Sequence, residues 1–216
     1  RFPTQLHRTC PAPILPTIPR RLTAFQPDLP AGSMLVEALG GLPLSVVYAR
    51  RKHLQRRERV QHDLAAVSAW LHDLQSATTQ GHGAVALGEP VLTDLRARFA
   101  SDPQTERVLC ALARCAATLA GHQGPKTVVH GDLWLGNVLV DDVGVSGVVD
   151  WENAELIGEP LRDVVRFALT YALNIDRRTT PGRRIRGHNV KAGPWGVGVT
   201  HVMTGGGWFP SLIRDF

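Results

Sequence analysis

Apolar residues recur along this chain in two periods. Between about Lys52 and Ala77 the positions Val60, Leu64, Val67, Leu71 and Leu74 follow at spacings of 4, 3, 4 and 3. That stripe is what an amphipathic helix needs to bury one face, and Trp70 widens it. Asp102-Pro103 reads as an N-cap and first helical residue, opening a helix with the face Val108, Leu112, Cys115 and Leu119 that closes near Gly121. After Lys126 the period shortens. Thr127 to Val129, Val138 to Val140 and Val145 to Val149 are β-branched runs, and the last two are joined across Asp141-Asp142-Val143-Gly144 as a hairpin. Gly158-Glu159-Pro160 then starts a helix carrying Leu161, Val164, Val165, Ala168, Leu169 and Ala172, expected to pack beneath the hairpin.

The two ends read less regularly. Pro3, Pro11, Pro13, Pro16 and Pro19 predict an extended or irregular lead-in. Arg20 to Phe25 and Ser33 to Leu39 predict two adjacent strands across a turn-rich connection, and Gly40, Gly41 and Pro43 end the second run. Beyond Asn174 the pattern dissolves into Arg/Gly-rich sequence in which no helix is predicted.

Composition narrows the classes. The chain has 216 residues, ample for a sizeable core, and no apolar run of the roughly 18 to 20 residues that a bilayer crossing needs. Cys10, Cys110 and Cys115 form no CxxC pair, so neither a disulfide framework nor a structural zinc site is expected, and a reducing cytosol is the expected compartment. Cys110 and Cys115 read as ordinary core or boundary residues.

The net charge of +5 is unevenly placed. Arg50, Arg51, Lys52, Arg56, Arg57 and Arg59 cluster before the long helix and read as a solvated face. From Val128 to Asp163 the acids are Asp132, Asp141, Asp142, Asp150, Glu152, Glu155, Glu159 and Asp163, against Arg162 and His130. An acidic middle favours a metal or cationic ligand and disfavours nucleic acid, and the basic patches lack interleaved stacking aromatics.

The chemistry concentrates in His130-Gly131-Asp132-Leu133-Trp134-Leu135-Gly136-Asn137, followed by Val149-Asp150-Trp151-Glu152. A strand delivers His130 and Asp132 into a loop, Asn137 comes five positions after Asp132, and Asp150 ends a hairpin strand. Phosphoryl transfer needs one carboxylate at the attacking hydroxyl and two oxygen ligands for magnesium on the nucleotide phosphates. Metallophosphoesterases also use Gly-Asp and Gly-Asn pairs. They need several further histidines, one of them where Val138 stands, so that comparison fails.

His130, Gly131, Asp132, Asn137 and Asp150 match position by position the pattern of the aminoglycoside phosphotransferase and choline kinase branch of the protein-kinase-like fold, which this sequence resembles over about residues 19 to 172. The resemblance implies an α+β, protein-kinase-like fold: a remnant of the N-terminal lobe over 1–39, a hinge at 40–44, and the helical C-terminal lobe with its catalytic-loop hairpin over 45–216. It implies ATP and Mg2+ as cofactors and a small-molecule hydroxyl acceptor, aminoglycoside- or choline-like. Asp132 would be the catalytic base, Asn137 and Asp150 the magnesium ligands, and His130 and Asp163 supports of the loop. The backbone at Val36 and Ala38 would hold adenine, and Glu152, Glu155 and Glu159 could line an acidic acceptor site.

The family's strand lysine and Gly-rich phosphate loop have no match. Lys52, Lys126 and Lys191 all follow the hinge, and the chain opens on Arg1. The expectation is a chain that begins after those elements, binds ATP poorly or not at all by itself and is inactive or impaired as this fragment, with a noncatalytic kinase-like remnant acting as a binding module as the alternative.

Overall fold

The computed structural model describes residues 2–10, 12, 14–23, 35–51, 56–86, 89–99, 103–177, 182–185, 187–188, 190–191 and 193–216. The long stripe forms α3, Arg57–Thr78, with Val60, Leu64, Val67, Trp70, Leu71 and Leu74 buried. Around it sits the main core, to which α6, Leu161–Arg177, contributes Phe167, Tyr171 and Ile175. Tyr48, on α2 (Leu44–Arg51), donates to the buried Asp63 carboxylate of α3 at 3.0 Å, so that acid is hydrogen-bonded within the core.

The strands form small antiparallel sheets. β1, Arg21–Thr23, pairs with β2, Leu35–Val36, as the sequence predicts; the connecting turn lies outside the described residues. β3, Leu42–Pro43, joins the hairpin of β7, Val138–Val140, and β8, Val145–Val148, in the order β3-β7-β8. β4, His82–Ala84, pairs with β5, Gln123–Pro125, and β6, Thr127–Val129, pairs with β9, Glu155–Gly158. The Val128 amide donates to Thr78 Oγ1 at 3.1 Å, fastening β6 to the end of α3. That junction sets where the polar loop after β6 emerges.

Several expectations are corrected. The proline-rich opening is not irregular: α1 covers Phe2–Thr9, because Pro3 falls in a first turn whose N–H groups have no intrahelical acceptor. Leu6, Cys10, Ile14 and Ile18, spaced by four, are all buried in the main core, and Trp70 Nε1 donates to Thr17 Oγ1 at 2.9 Å. Burial pushes the Cys10 thiol up to about 11, which leaves it protonated.

The tail is helical too. α6 continues to Arg177, and α7, Val197–Thr204, and α8, Trp208–Asp215, follow; Phe209 and Ile213 of α8 enter the core. The Asp176 carboxylate accepts from the Gly196 and Gly198 amides at 2.8 Å each, joining α6 to the start of α7.

Two helices turn differently from their predicted faces. On α5, Pro103–Leu119, the buried residue is Leu109, while Val108 is 55% and Leu112 38% exposed; Cys110 and Cys115 are exposed rather than core residues. Helix α5 packs on α4, Glu89–Phe99, so its partner is another helix and not the main core. The expected cap Asp102 lies outside the described residues. On α6, Val164, Ala168 and Ala172 face the core, whereas Leu161, Val165 and Leu169 are exposed. Of the basic cluster, Arg50, Arg56 and Arg57 are exposed; Lys52 lies outside the described residues.

Candidate active site

β6 leads directly into a loop, residues 130–137, that returns the chain to β7. His130 is fully buried, and its Nε2 donates to the Val149 carbonyl at 2.9 Å. Its Nδ1 lies 3.3 Å from the Asp132 amide. An amide N–H can only donate, so Nδ1 accepts and the ring is the neutral Nε2–H tautomer. Burial lowers the His130 pKa, against the raising pull of the Val149 carbonyl and of Asp163, Asp132 and Asp150. The Trp151 ring lies over it at 4.6 Å between centroids.

The start of α6 holds the same loop from the other side. Asp163, 1% exposed, accepts from the His130 amide at 2.7 Å and the Gly131 amide at 2.9 Å. Burial pushes its carboxyl up, while the two amide donors, His130 and Arg162 pull it down. Gly131 has φ +81°, and a Cβ there would stand 2.2 Å from the Asn153 carbonyl oxygen, so glycine alone fits.

Asn137 is buried, and its Nδ2 donates to the Asp132 carbonyl at 3.0 Å, leaving Oδ1 free of that contact. The Asn137 carbonyl accepts from the Val149 amide at 2.9 Å. Asp150 is therefore the residue next to a direct pairing with Asn137. Its backbone is left-handed, φ 68° and ψ 55°, the one such non-glycine among the described residues. Backbone strain of that kind costs about 1–2 kcal/mol and gathers at functional sites. Asn137 is thus tied through its side chain to the Asp132 carbonyl and through its backbone to Val149, the residue before Asp150.

Asp132 itself is ion-paired. Arg166 of α6 reaches its Oδ1, with the arginine side chain 51% and the aspartate 24% exposed. The sequence reading missed Arg166, although it lies three residues after Asp163 and so on the same helical face. Glu155 pairs with Arg162, and Glu159 with Lys126 while also accepting from the Ala86 amide at 3.3 Å. Glu152 is exposed. Val36 is 41% exposed at the end of β2 and Ala38 is exposed after it. No three His, Cys, Asp or Glu side chains gather to hold a metal among the described residues. A magnesium site here would combine one carboxylate and one amide oxygen with oxygens from phosphate and water.

The comparisons agree with this architecture. A model of the phosphotransferase enzyme family (APH) matches residues 5–191. No curated protein is similar to the chain in sequence. Among solved structures, a thermostable mutant of aminoglycoside phosphotransferase APH(4)-Ia in its apo form is 18% identical with a TM-score of 0.55, covering 80% of this chain and 60% of that one. The same enzyme in a ternary complex with AMP-PNP and hygromycin B is 19% identical with a TM-score of 0.55, covering 79% and 59%. A glucosamine kinase is 20% identical with a TM-score of 0.50, covering 85% and 47%. The chain spans about three fifths or less of these proteins. The fold is the α+β, kinase-like one that the motif implied. With a family model matching most of its length, this chain belongs to the phosphotransferase enzyme family.

Proposed function

We propose that the chain carries the acceptor-activating loop of an ATP-dependent phosphotransferase that moves the γ-phosphoryl group to a hydroxyl of a small molecule. The observation that carries this reading is the joint wiring of the loop: Asn137 bonds the Asp132 carbonyl through its side chain and Val149, the neighbour of Asp150, through its backbone. Asp132 orients and deprotonates the acceptor hydroxyl. Asn137 Oδ1 and the Asp150 carboxylate would hold Mg2+, which when bound neutralises charge on the nucleotide phosphates. His130 and Asp163 fix the loop. Backbone groups at Val36 and Ala38 would receive adenine, and AMP-PNP in a structural neighbour supports nucleotide use.

For the acceptor, an amine-bearing alcohol finds support in the hygromycin B bound to one neighbour and in the glucosamine kinase name of another. The ion pairs of Glu155 and Glu159 leave Glu152 as the acid best placed to meet an amine. The second reading, a noncatalytic binding module, is favoured by one observation: Arg166 occupies the Asp132 carboxylate.

ADP release measured with ATP, magnesium and a panel of amino and neutral alcohols, on a longer chain that supplies a strand lysine and phosphate loop, separates the two. Asp132→Ala should lower turnover by about 10² to 10⁴. Unchanged turnover in that variant removes Asp132 from the chemistry, and no release with any alcohol favours the binding module.

A further inference from the structure

The tail after α6 carries charge of one sign. Between Asp176 and Asp215 the sequence holds no aspartate or glutamate, while Arg177, Arg178, Arg183, Arg184, Arg186 and Lys191 all stand before Trp195. The charge of Asp176 is met by the Gly196 and Gly198 amides, at the positive end of α7. Arg183 and Lys191 are exposed, on a loop closed by an antiparallel bridge between Arg184 and Lys191. The Ile185 amide donates to the Val190 carbonyl at 3.0 Å, and the Ile185 side chain joins the main core. The loop's cations are thus presented from an anchored backbone.

Large apolar side chains stand beside them. The His188 ring lies 6.2 Å from that of His201 on α7 and 4.8 Å from that of Phe209 on α8, so the loop packs against both helices. Trp195 is 66% exposed and Met203 of α7 69%. Helix α7 buries Gly198, His201 and Val202 and turns Thr200, Met203 and Thr204 outward, with no charged side chain on that outer side. Met203 stands about two helical turns after Gly196, on the line along which the chain enters from Trp195. The helix is seated closely on α6, since a Cβ on Gly198 would stand 2.2 Å from the Ala172 carbonyl oxygen. The outer side is therefore a fixed surface.

We propose that the loop carrying Arg183 and Lys191, Trp195 and the outer side of α7 dock on an anionic lipid bilayer. The cations meet lipid headgroups, and Trp195 and Met203 enter the headgroup boundary. Charge complementarity selects this occupant: an acid-free basic segment is drawn to an anionic leaflet, and tryptophan favours the interface between headgroups and acyl chains. Single-stranded nucleic acid is disfavoured. The one ring among the cations, His188, is packed against Phe209, and methionine offers no plane on which a base could stack. The contact is peripheral, because no helix among the described residues is long and apolar enough to cross a bilayer. It does not depend on the phosphotransferase reading.

The test is flotation of this chain with phosphatidylcholine vesicles, with and without phosphatidylglycerol. Wild type floats with the anionic vesicles, and less so at high salt. Each cation near an anionic leaflet is worth about fivefold in partitioning and a reversed charge adds repulsion, so Arg183→Glu/Lys191→Glu should lower it by about 10² or more. Arg107→Glu/Arg114→Glu changes the net charge equally on α5, a helix that packs against α4, and should keep most of the binding. Trp195→Ala/Met203→Gln should lower partitioning about tenfold or more. All these positions are exposed, so each variant should fold.

Absence of wild type from the floating anionic vesicles, or equal losses in the two charge-reversed variants, overturns the proposal. So does wild-type flotation of Trp195→Ala/Met203→Gln, which would make the patch a general polyanion site. Binding of a single-stranded RNA oligonucleotide through Arg183 and Lys191, without vesicle binding, overturns it as well.

Discussion

Two strand regions of the chain have opposite surroundings. In the β6–loop–hairpin region Val128, Val129, Val138 and Val148 are at most 1% exposed, and the loop's first amides are held by a buried carboxylate. In the β1–β2 ribbon, the side on which adenine is expected, Leu22 is 50%, Leu35 38% and Val36 41% exposed, and Arg20 meets Glu37 at 3.6 Å on the surface. The loop after β6 is over-determined by its own neighbours, whereas the ribbon contributes little to holding the molecule together. The regions proposed for the acceptor and for the nucleotide are therefore held in place differently, and substitutions should divide along that line.

The largest stability effect is expected at Asp163. Asp163→Ala removes two hydrogen bonds to a charged acceptor and leaves the His130 and Gly131 amides buried without partners, at a cost of about 3–5 kcal/mol. Leu35→Ser on the ribbon should stay within about 0.5 kcal/mol. Urea unfolding of the two variants measures the contrast, and a cost below about 1 kcal/mol for Asp163→Ala would erase it.

Gly131→Ala comes next. The substitution forces a side chain into a left-handed backbone and against the Asn153 carbonyl, whose position is set by the turn after Asp150. A cost of about 2–3 kcal/mol is expected from strain and displacement together. Gly81, at φ +123°, has open space where a methyl group would stand, so Gly81→Ala isolates the backbone part and should cost less. Equal costs at the two glycines would show that the Asn153 contact adds nothing.

The same contrast explains what the sequence made legible. Helix α3 and the β7–β8 hairpin could be read because their apolar residues repeat locally and bury against the main core. The loop could be read because histidine, glycine, aspartate and asparagine stand at fixed short spacings. Interactions between distant segments could not. Arg166 lies 34 residues from Asp132, and Asn174 comes to line one cavity with Ser45 and Trp134 only through tertiary packing. On α5 the choice of face depended on α4, whose position no periodicity in α5 encodes. At the amino end the prolines concealed a four-residue repeat, Leu6, Cys10, Ile14 and Ile18, because a first-turn proline and a short 3-10 turn are compatible with it.

The smallest effect concerns protonation of the loop. Burial lowers the His130 pKa in the folded chain below its ordinary value of about 6.5, so between those two values the unfolded chain binds more protons. Stability is complete above the ordinary histidine range and declines as pH falls through it. Asp163, with its carboxyl raised by burial, acts with the opposite sign, its share declining as pH rises out of the ordinary aspartate range. Thermal midpoints measured from pH 7.5 to 5.5 span the ordinary histidine range. His201, also lowered by burial and by Arg214, adds a slope of the same sign. His130→Gln can keep both contacts, its amide nitrogen donating to Val149 and its oxygen accepting from Asp132, while removing the proton site. That variant should lose part of the midpoint's fall on acidification, and His201→Gln a further part. If His130→Gln retains the whole wild-type slope, the buried ring does not carry the acid sensitivity of the loop after β6.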